Sequence, residues 1–142
     1  MITVHEVESP ADLQAAFAIR EKVFVEEQQV PREEEYDAYE DTARHYLARS
    51  GDTPCGAARW RKTDKGVKLE RFAVLPGFRN GAVGSQILQR IIADVKEAYP
   101  DETMYLHAQV PAMNFYARQG FEKVGEMFSE CDIDHFRMVL RA

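Results

Sequence analysis

Two glycines stand between a predicted strand and a predicted helix, in a spacing that suits the binding of an anion. The strand spans residues 67–75, which are rich in apolar and β-branched side chains, and the helix spans residues 83–99, where apolar residues recur every three or four positions. Gly81 and Gly84 place no Cβ atom in the way, so backbone N–H groups at the start of the helix can face a ligand. The helix dipole adds positive charge there. The stretch therefore predicts an anion-binding site and favours a pyrophosphate as its ligand.

The spacing excludes two other kinds of nucleotide loop. A nucleotide-hydrolysing P-loop requires Gly, four residues and then Gly-Lys-Ser/Thr, and the chain has no lysine between Lys68 and Lys96. A dinucleotide loop requires Gly-x-Gly-x-x-Gly at the start of a βαβ unit, which Gly81 and Gly84 do not form. An ordinary glycine-containing turn between a strand and a helix is the alternative to a phosphate loop.

The same loop resembles that of a known enzyme family. Arg79, Ala82 and Gly84 follow the Arg/Gln-x-x-Gly-x-Gly/Ala pattern of the GCN5-related N-acetyltransferases (GNAT), whose loop holds the pyrophosphate of acetyl-coenzyme A (acetyl-CoA). One position departs from this pattern, because Ala82 replaces the usual glycine and Gly81 lies one residue early. The resemblance implies that acetyl-CoA is the cosubstrate and that its pyrophosphate contacts Arg79, Asn80, Gly81, Ala82, Val83, Gly84 and Ser85.

A second resemblance covers the N-terminal half of the chain. The matched positions are those of a small bacterial subgroup of the family, the ElaA-like and YjcF-like acetyltransferases: Arg20, Val23, Phe24, Glu27, Gln28, Pro31, Glu35, Asp37 and His45. In the superfamily this helix and loop wall the acceptor pocket, so the resemblance implies that Phe24, Glu27 and Gln28 contact the substrate. Core packing is the alternative role for Phe24, and helix capping is the alternative for Glu27 and Gln28.

A third match lies at residues 112–121, which resemble the family's Ala-x-x-Phe/Leu-Tyr-x-x-x-Gly-Phe motif at every defining position. The resemblance implies that Asn114, Phe115 and Tyr116 contact the cofactor. It also assigns Tyr116 the role of general acid, since a phenol can protonate a departing thiolate. A tyrosine packed on the core with its hydroxyl at the rim is the alternative. Gln109 stands where the family often has an asparagine and is a further candidate for cofactor contact.

The remaining chemistry requires a base. A neutral amine attacks the acetyl thioester, a negative oxygen develops, and a thiolate leaves. Glu70 is the first candidate for the base because it lies on the strand expected to carry the acetyl group; ion pairing with Arg59 or Arg61 is its alternative role. His107 and His135 are further candidates, for the base or for substrate contact, since either could reach the site.

The strand that carries the candidate base is also expected to hold the pantetheine arm through its backbone. The family resemblance implies that this strand parts from the strand at 104–108, that the arm lies between them, and that one N–H group stabilises the oxyanion. Arg71 either lines the site or faces solvent. The candidates from this strand are Phe72, Ala73 and Val74 for the cofactor and Arg71 for the substrate.

These residues require a particular order of helices and strands. A helix is expected to begin after a Ser9 N-cap, with Pro10 in its first position, and to end near Glu26. Residues 28–41 show no period and are predicted to form a surface loop with room for a short helical turn. Strands are predicted at 2–7, 44–49, 55–61, 67–75, 104–108, 121–128 and 136–140, and further helices at 83–99 and 112–119. The order βα(α)βββαβαββ indicates an α/β class, the GNAT fold of the resemblance, with a central mixed and mostly antiparallel sheet flanked by helices.

Length and charge narrow the class of protein. The 142 residues, of which 45% are hydrophobic, suit a single domain over 1–142. A net charge of −6 argues against a nucleic acid partner, because a phosphate backbone needs a basic face. The acidic run from Glu26 to Asp41 is interpreted as a solvated surface that could also attract cationic amines. Neither a membrane-spanning stretch nor a secretory signal is recognised, so we expect a cytoplasmic protein without a membrane partner.

Cysteine and histidine positions predict no metal site. Cys55 and Cys131 lie far apart and are interpreted as reduced, structural thiols. The histidines are equally scattered, at His5, His45, His107 and His135.

Together the motifs predict a bacterial, acetyl-CoA-dependent N-acetyltransferase. It would transfer the acetyl group directly, within a ternary complex, to a primary amine on a small molecule rather than on a protein. One alternative is a non-catalytic acyl-CoA-binding sensor or interaction module on the same fold, which Ala82 would favour. Another is an enzyme that uses a longer acyl group. A homodimer is possible by analogy with relatives.

Overall fold

The computed structural model describes residues 1–79 and 81–140, and its elements follow the predicted order. The strands are β1 (Ile2–Glu6), β2 (Arg44–Ser50), β3 (Thr53–Thr63), β4 (Gly66–Val74), β5 (Met104–Gln109), β6 (Glu122–Glu130) and β7 (Ile133–Leu140). The helices are α1 (Pro10–Arg20), α2 (Arg32–Glu35), α3 (Val83–Ala98) and α4 (Met113–Arg118). A π-helical segment (Glu21–Glu27) continues α1, and short 3₁₀ turns (Pro76–Phe78 and Val110–Ala112) precede α3 and α4. The predicted order βα(α)βββαβαββ is confirmed.

A single mixed sheet organises the part of the chain that the structure describes. Its seven strands run in the order β1-β2-β3-β4-β5-β7-β6, and all neighbours are antiparallel except β4 and β5. The β4/β5 ladder covers only the pairs from Val67 with Met104 to Leu69 with Leu106, although both strands continue beyond it. The two parallel strands therefore part in the middle of the sheet, as predicted.

Helix α3 packs on one face of this sheet through the predicted apolar stripe, whose buried members are Val83, Ile87, Leu88, Ile91 and Val95. They join the larger apolar cluster together with Leu69 and Leu106 of the two parted strands. Full burial of one such side chain stabilises a fold by roughly 1.5–3 kcal/mol. The stripe therefore fixes the start of α3 relative to the parted strands.

Helix α1 covers the opposite face, where Ile19 packs against Leu47 of β2 and Ala73 of β4 in a second apolar cluster. Its start is as predicted: Pro10 occupies the first turn and the Ser9 hydroxyl accepts a hydrogen bond from the Asp12 N–H at 3.2 Å. The π-helical segment that follows ends close to the predicted helix end. Segments of this geometry occur frequently at functional sites.

The interpretation of the acidic run from Glu26 to Asp41 as a solvated surface is wrong for Glu35, Asp37 and Glu40. The short helical turn is present as α2, but Glu35 at its end is only 3% exposed. The physical reason is that two arginines on neighbouring elements, Arg20 of α1 and Arg59 of β3, donate hydrogen bonds to acidic side chains of the loop. Part of the acidic run is therefore an internal ion-pair network.

The last hairpin is tighter than predicted. Only Cys131 and Asp132 connect β6, which ends at Glu130, to β7, which begins at Ile133. Both connecting residues have a positive φ, +51° and +61°, as two-residue hairpin turns require. Glycine or asparagine usually signals such a turn, and neither is present, so the predicted strands were too short. Cys131 is exposed at this turn and is not the structural thiol predicted, whereas Cys55 is buried.

Candidate active site

A cleft of about 300 Å³ opens where β4 and β5 part. Its walls come from these two strands, the π-helical segment, α4 and the turn between β6 and β7. The predicted site residues that line it are Phe24, Gln28, Glu70, Arg71, Phe72, Ala73, Val74, Arg79, His107, Gln109, Tyr116 and His135. The structure therefore brings together candidates from all three sequence motifs.

A β-bulge shapes the cleft wall on β4. Arg59 of β3 pairs with Glu70, and Ala57 pairs with Ala73. Between these two pairs, two residues of β4 face one residue of β3. The bulge contains Arg71, whose φ of +60° lies in the left-handed region. The backbone between Glu70 and Ala73 consequently lies outside the β3 register, and it is also beyond the end of the β5 ladder. These peptide groups therefore border the cleft without a strand partner in either register.

Tyr116 of α4 faces this cleft from within an aromatic cluster. Its ring lies edge-on to Phe72 at 5.9 Å, and it also contacts Phe115 at 5.0 Å and Phe121 at 6.1 Å between centroids. The residue is only 8% exposed, and burial raises the pKa of its phenol above the usual value of 10.0. The phenol is therefore protonated at neutral pH, and its side chain lines the cleft.

Glu70 lines the cleft but is surrounded by cations. Its Oε1 accepts hydrogen bonds from Arg59 Nε at 3.1 Å and Arg61 Nε at 2.8 Å, and Lys68 Nζ lies 3.2 Å from Oε2. Burial alone would raise the pKa of the Glu70 carboxyl, but the bond from Arg61 and the charges of Arg59 and Lys68 outweigh it and lower the pKa. The ion pairs that the sequence left open are thus present. The base role of Glu70 stays a prediction. Its carboxylate is already paired with three cations.

Arg71 lines the cleft but its guanidinium is turned to the acidic loop. Its Nε lies 3.1 Å from Glu35 Oε1, and its Nη2 donates to Asp37 Oδ2 at 3.3 Å and to the Glu35 carbonyl at 3.2 Å. Of the two roles left open, solvent exposure does not apply. Substrate contact stays a prediction, and the observed contacts tie the bulge of β4 to α2.

Behind the cleft wall lies a network of buried ion pairs that the sequence did not indicate. Arg20, 1% exposed, bonds Glu35 Oε2 at 2.8 Å and both oxygens of Glu40 at 2.8 and 2.9 Å. Arg59, fully buried, bonds Asp37 Oδ2 at 2.6 Å and Glu40 Oε1 at 2.8 Å as well as Glu70. The network connects α1, the acidic loop, β3 and β4, and Arg71 within the bulge bonds the same loop through Glu35 and Asp37.

Acid is expected to destabilise the fold through this network. Burial would raise the pKa of Asp37, but hydrogen bonds from Arg59 and the Tyr39 N–H outweigh it and lower the pKa from 3.8 to about 2. Because the folded-state pKa lies below the unfolded value, this contribution to the free energy of unfolding is present above 3.8 and is lost as the pH falls towards about 2. Urea titrations across that window should show the decline, and Asp37→Asn should reduce it. An equal decline in the variant would contradict the assignment.

The predicted phosphate loop meets α3 beside the end of β4. Ala82 is the N-cap residue and has no side-chain oxygen, so it cannot cap the first N–H groups of α3. At Gly84 an added Cβ would meet the Phe115 ring at 3.4 Å and the Val74 side chain at 3.9 Å. The glycine therefore allows close packing of α3, α4 and β4. Asn80, also predicted to bind the cofactor, lies outside the described residues.

Two pairs of predicted residues contact each other at the cleft, of which Gln28, Arg79 and Gln109 line it and Glu27 does not. Glu27 of the π-helical segment binds Arg79 through both oxygens, at 2.7 Å each, and Arg79 Nε also donates to the Val74 carbonyl at 2.8 Å. Next to it, Gln109 Nε2 donates to Gln28 Oε1 at 2.8 Å. The predicted cofactor residues Arg79 and Gln109 are thus joined to predicted substrate residues by the π-helical segment.

Other predicted residues lie outside the lining of the cleft. The Val83 side chain is buried in the core, Asn114 is exposed, and Ser85 Oγ accepts a hydrogen bond from Gln119 Nε2 at 3.2 Å. Gly81 and Ala82 are exposed, and Phe115 packs behind Gly84. A role for these residues would involve their backbone or the support of their neighbours. Phe24 is buried in the core cluster and also lines the cleft, and its contact with the substrate stays a prediction.

The lining residues with polar side chains that were not among the candidates are Glu34, Glu35, Lys68, Glu130 and Cys131. Glu130 Oε2 lies 3.1 Å from His107 Nδ1, and Cys131 Sγ donates to Glu34 Oε2 at 3.2 Å. The tight β6–β7 turn brings Glu130 and Cys131 to the cleft. Recognition of this turn in the sequence would have placed both residues at the cleft. The turn, Cys131-Asp132, contains neither glycine nor asparagine, which usually signal such a turn.

Residues 1–79 and 81–140 contain no group of three or more His, Cys, Asp or Glu side chains placed to hold a metal ion. In the same ranges, no helix combines the length and the apolar character needed to cross a bilayer.

Comparisons with known proteins agree with the geometry. A family model for the acetyltransferase (GNAT) domain matches residues 7–142. The chain is 38% identical over 131 residues to the uncharacterized N-acetyltransferase YjcF of Bacillus subtilis, covering 89% of this chain and 91% of YjcF. It is 32% identical over 138 residues to the protein ElaA of Escherichia coli, covering 94% and 90% of the two chains.

Solved structures show the same fold. The crystal structure of E. coli ElaA superposes with a TM-score of 0.90 at 31% identity, covering 99% of this chain and all of that one. A Pseudomonas aeruginosa acyl-CoA N-acyltransferase superposes with a TM-score of 0.86 at 26% identity, covering 100% and 99%. These matches confirm the family that the sequence motifs indicated. The parted β4 and β5 strands, with the start of α3 beside them and Tyr116 in the cleft, agree with it. The chain therefore belongs to the acetyltransferase (GNAT) family, is similar to ElaA and YjcF within it, and is an acetyltransferase enzyme.

Proposed function

We propose that this enzyme transfers an acetyl group from acetyl-CoA directly to a primary amine of a small molecule, within a ternary complex. The observation that carries the proposal is the cleft between β4 and β5, which combines unpartnered peptide groups on one wall with the protonated phenol of Tyr116. Acyl transfer to nitrogen needs donors for a developing oxyanion and an acid for the leaving sulfur.

The described residues fit the parts of coenzyme A. The parted strands leave room for an extended arm, and the backbone of Phe72, Ala73 and Val74 would bond it along β4. The start of α3, with Arg79 nearby, would receive the pyrophosphate, since helix N-termini and guanidinium groups both favour phosphate. Acetyl-CoA would supply the activated acyl group as a thioester.

A small acceptor is favoured by the size of the cleft. The π-helical segment and α2 cover one side and the β6–β7 turn covers another, so that Phe24, Glu34 and Glu130 face the same cavity of about 300 Å³. A volume of this order suits a small molecule better than a folded protein. Homodimerisation and a cytoplasmic location stay predictions.

Removal of the Glu27 carboxylate is expected to tighten coenzyme A binding. The Glu27 carboxylate bonds both terminal nitrogens of Arg79. The Glu27 side chain is 42% exposed and that of Arg79 is 35% exposed, so separation of the pair costs little free energy. An exposed pair contributes at most about 1 kcal/mol, so Glu27→Gln should lower the Kd for coenzyme A by up to about 5-fold. Calorimetric titration measures this effect, with Glu33→Gln on the exposed face of α2 as the matched control. Weaker binding by Glu27→Gln would contradict competition for Arg79.

The proposed function is tested by thiol release from acetyl-CoA over a panel of primary amines, beside calorimetric titration with coenzyme A. The panel should include simple alkylamines, amino sugars, polyamines and a lysine-containing peptide. Thiol release that requires one of the small amines would support the proposal and identify the acceptor class. Release only with the peptide would contradict a small-molecule acceptor, and binding without release would contradict acetyl transfer to amines.

A further inference from the structure

A carboxylate and two imidazoles meet where β5, β6 and β7 border the cleft. His107, Glu130 and His135 all line the cavity that Tyr116 lines. The Glu130 carboxylate lies between the two rings, 3.1 Å from His107 Nδ1 at Oε2 and 3.8 Å from His135 Nε2 at Oε1. The sequence places these residues on three strands, and only the two-residue turn after Glu130 brings the acid to the histidines.

The contacts of His107 fix its ring and its tautomer. The ring lies edge-on to Phe128 at 5.0 Å and tilted against Tyr105 at 6.2 Å. The hydrogen bond with His107 lowers the pKa of Glu130 despite partial burial, so Glu130 is a carboxylate and only accepts hydrogen bonds. His107 Nδ1 must then carry the hydrogen of this bond, and Nε2 is the ring nitrogen that can exchange a proton in the cleft. A neutral imidazole held in this way is a proton acceptor.

His135 is arranged differently. Its Nδ1 lies 2.7 Å from the Ile133 carbonyl, to which it donates, and its ring stacks on Phe128 at 5.8 Å with an interplanar angle of 19°. Its Nε2 lies 3.8 Å from Glu130 Oε1, beyond hydrogen-bond distance, so the ring is held by Ile133 and Phe128 rather than by the carboxylate. Glu70, the other candidate base, is occupied by three cations. Of the two imidazoles, His107 is the one that the Glu130 carboxylate orients and the more accessible one, with 25% of its side chain exposed against 9% for His135.

We propose that His107 Nε2 is the general base of acetyl transfer and that Glu130 is the residue that positions it. The proposal rests on the proposed function. As the neutral amine nitrogen forms its bond to the acetyl carbonyl carbon, an N–H proton passes to His107 Nε2. The C–S bond then breaks, and the sulfur takes the proton of the Tyr116 phenol to give coenzyme A as the free thiol. A proton from the His107 imidazolium returns through solvent to the Tyr116 phenolate, which restores both groups.

The test measures kcat, KM for the amine, and Kd for coenzyme A in His107→Ala and Glu130→Gln. General base catalysis contributes roughly 100-fold or more, so His107→Ala should lower kcat by at least about that factor and keep Kd close to wild type. Added imidazole should restore part of kcat. Glu130→Gln should lower kcat by about 10-fold with KM unchanged, and Glu130→Asp should recover part of it, because the carboxylate only orients the ring.

Matched controls are His5→Ala on β1 and Glu126→Gln on the exposed part of β6, both expected to keep wild-type kcat. His107→Gln serves as a second variant if His107→Ala fails to fold. Wild-type kcat in the His107 variants, or a loss that imidazole does not restore, would overturn the proposal while the wild-type activity upholds the proposed function. Absence of amine-dependent thiol release in the wild type would overturn both.

Discussion

Replacement of Tyr116 by phenylalanine is expected to lower kcat by roughly 100-fold or more while the Kd for coenzyme A stays close to the wild-type value. The substitution removes only the hydroxyl, so the edge contacts of the ring with Phe72, Phe115 and Phe121 are kept. The effect should fall on kcat because the proton is needed when the sulfur leaves, and not when the cofactor binds. Steady-state rates with a good amine acceptor and calorimetric titration separate the two quantities.

Tyr39→Phe is the matched control for this substitution. Tyr39 is 44% exposed and lies outside the residues that line the cleft, so its loss of a hydroxyl should leave kcat unchanged. Equal losses of kcat and of cofactor affinity in Tyr116→Phe would contradict the role of general acid. They would instead support the alternative of a tyrosine that only packs on the core.

Replacement of Arg59 by methionine is expected to lower the free energy of unfolding by about 3–5 kcal/mol, because removal of one member of a buried ion-pair network leaves Asp37, Glu40 and Glu70 short of one counter-charge. Arg59 is fully buried and bonds Asp37, Glu40 and Glu70 at 2.6–3.1 Å. The three carboxylates would then face each other in a poorly solvated space. Urea denaturation at neutral pH measures the loss.

Arg32→Met is the control for charge removal at the surface. Arg32 is 65% exposed and pairs with Glu21, and an exposed pair contributes at most about 1 kcal/mol. A loss in Arg59→Met no larger than that in Arg32→Met would contradict the structural role of the network. If the network also holds the bulge of β4, Arg59→Met should in addition lower kcat under conditions where the variant is folded.

The sequence allows prediction of those parts of the fold that depend on neighbouring residues in the chain. The period of Ile87, Leu88, Ile91 and Val95 predicts α3, and Ser9 predicts the start of α1, because these signals act within a few residues. The three motifs likewise placed Tyr116 and the β4 backbone in one cleft through the family resemblance. These features were confirmed.

Pairing between distant elements could not be predicted in this way. Glu35 and Asp37 lie in a run of charge that is usually solvated, and their partners Arg20 and Arg59 come from α1 and β3. Local pattern carries no information on such contacts, since either environment suits a carboxylate that has a counter-charge. The same limit applies to Glu70, for which the sequence left the choice between base and ion pair open.

Unusual backbone conformations account for the remaining differences. Cys131 and Asp132 take positive φ angles in a two-residue turn without glycine, and Arg71 takes one within the bulge of β4. Non-glycine residues rarely adopt this region, so no sequence signal marks it. The turn nevertheless determines that Glu130 and His135 reach the cleft, and so decides which groups can act as the base.

The most direct test of direct acetyl transfer follows both products of the reaction at once, with acetyl-CoA and the best small amine of the panel. The account predicts that free coenzyme A thiol and the acetylated amine, measured by mass spectrometry, appear in equal amounts with the wild-type enzyme. It predicts that both slow together in Tyr116→Phe. Thiol release without an acetylated amine, or coenzyme A binding without either product, would contradict it.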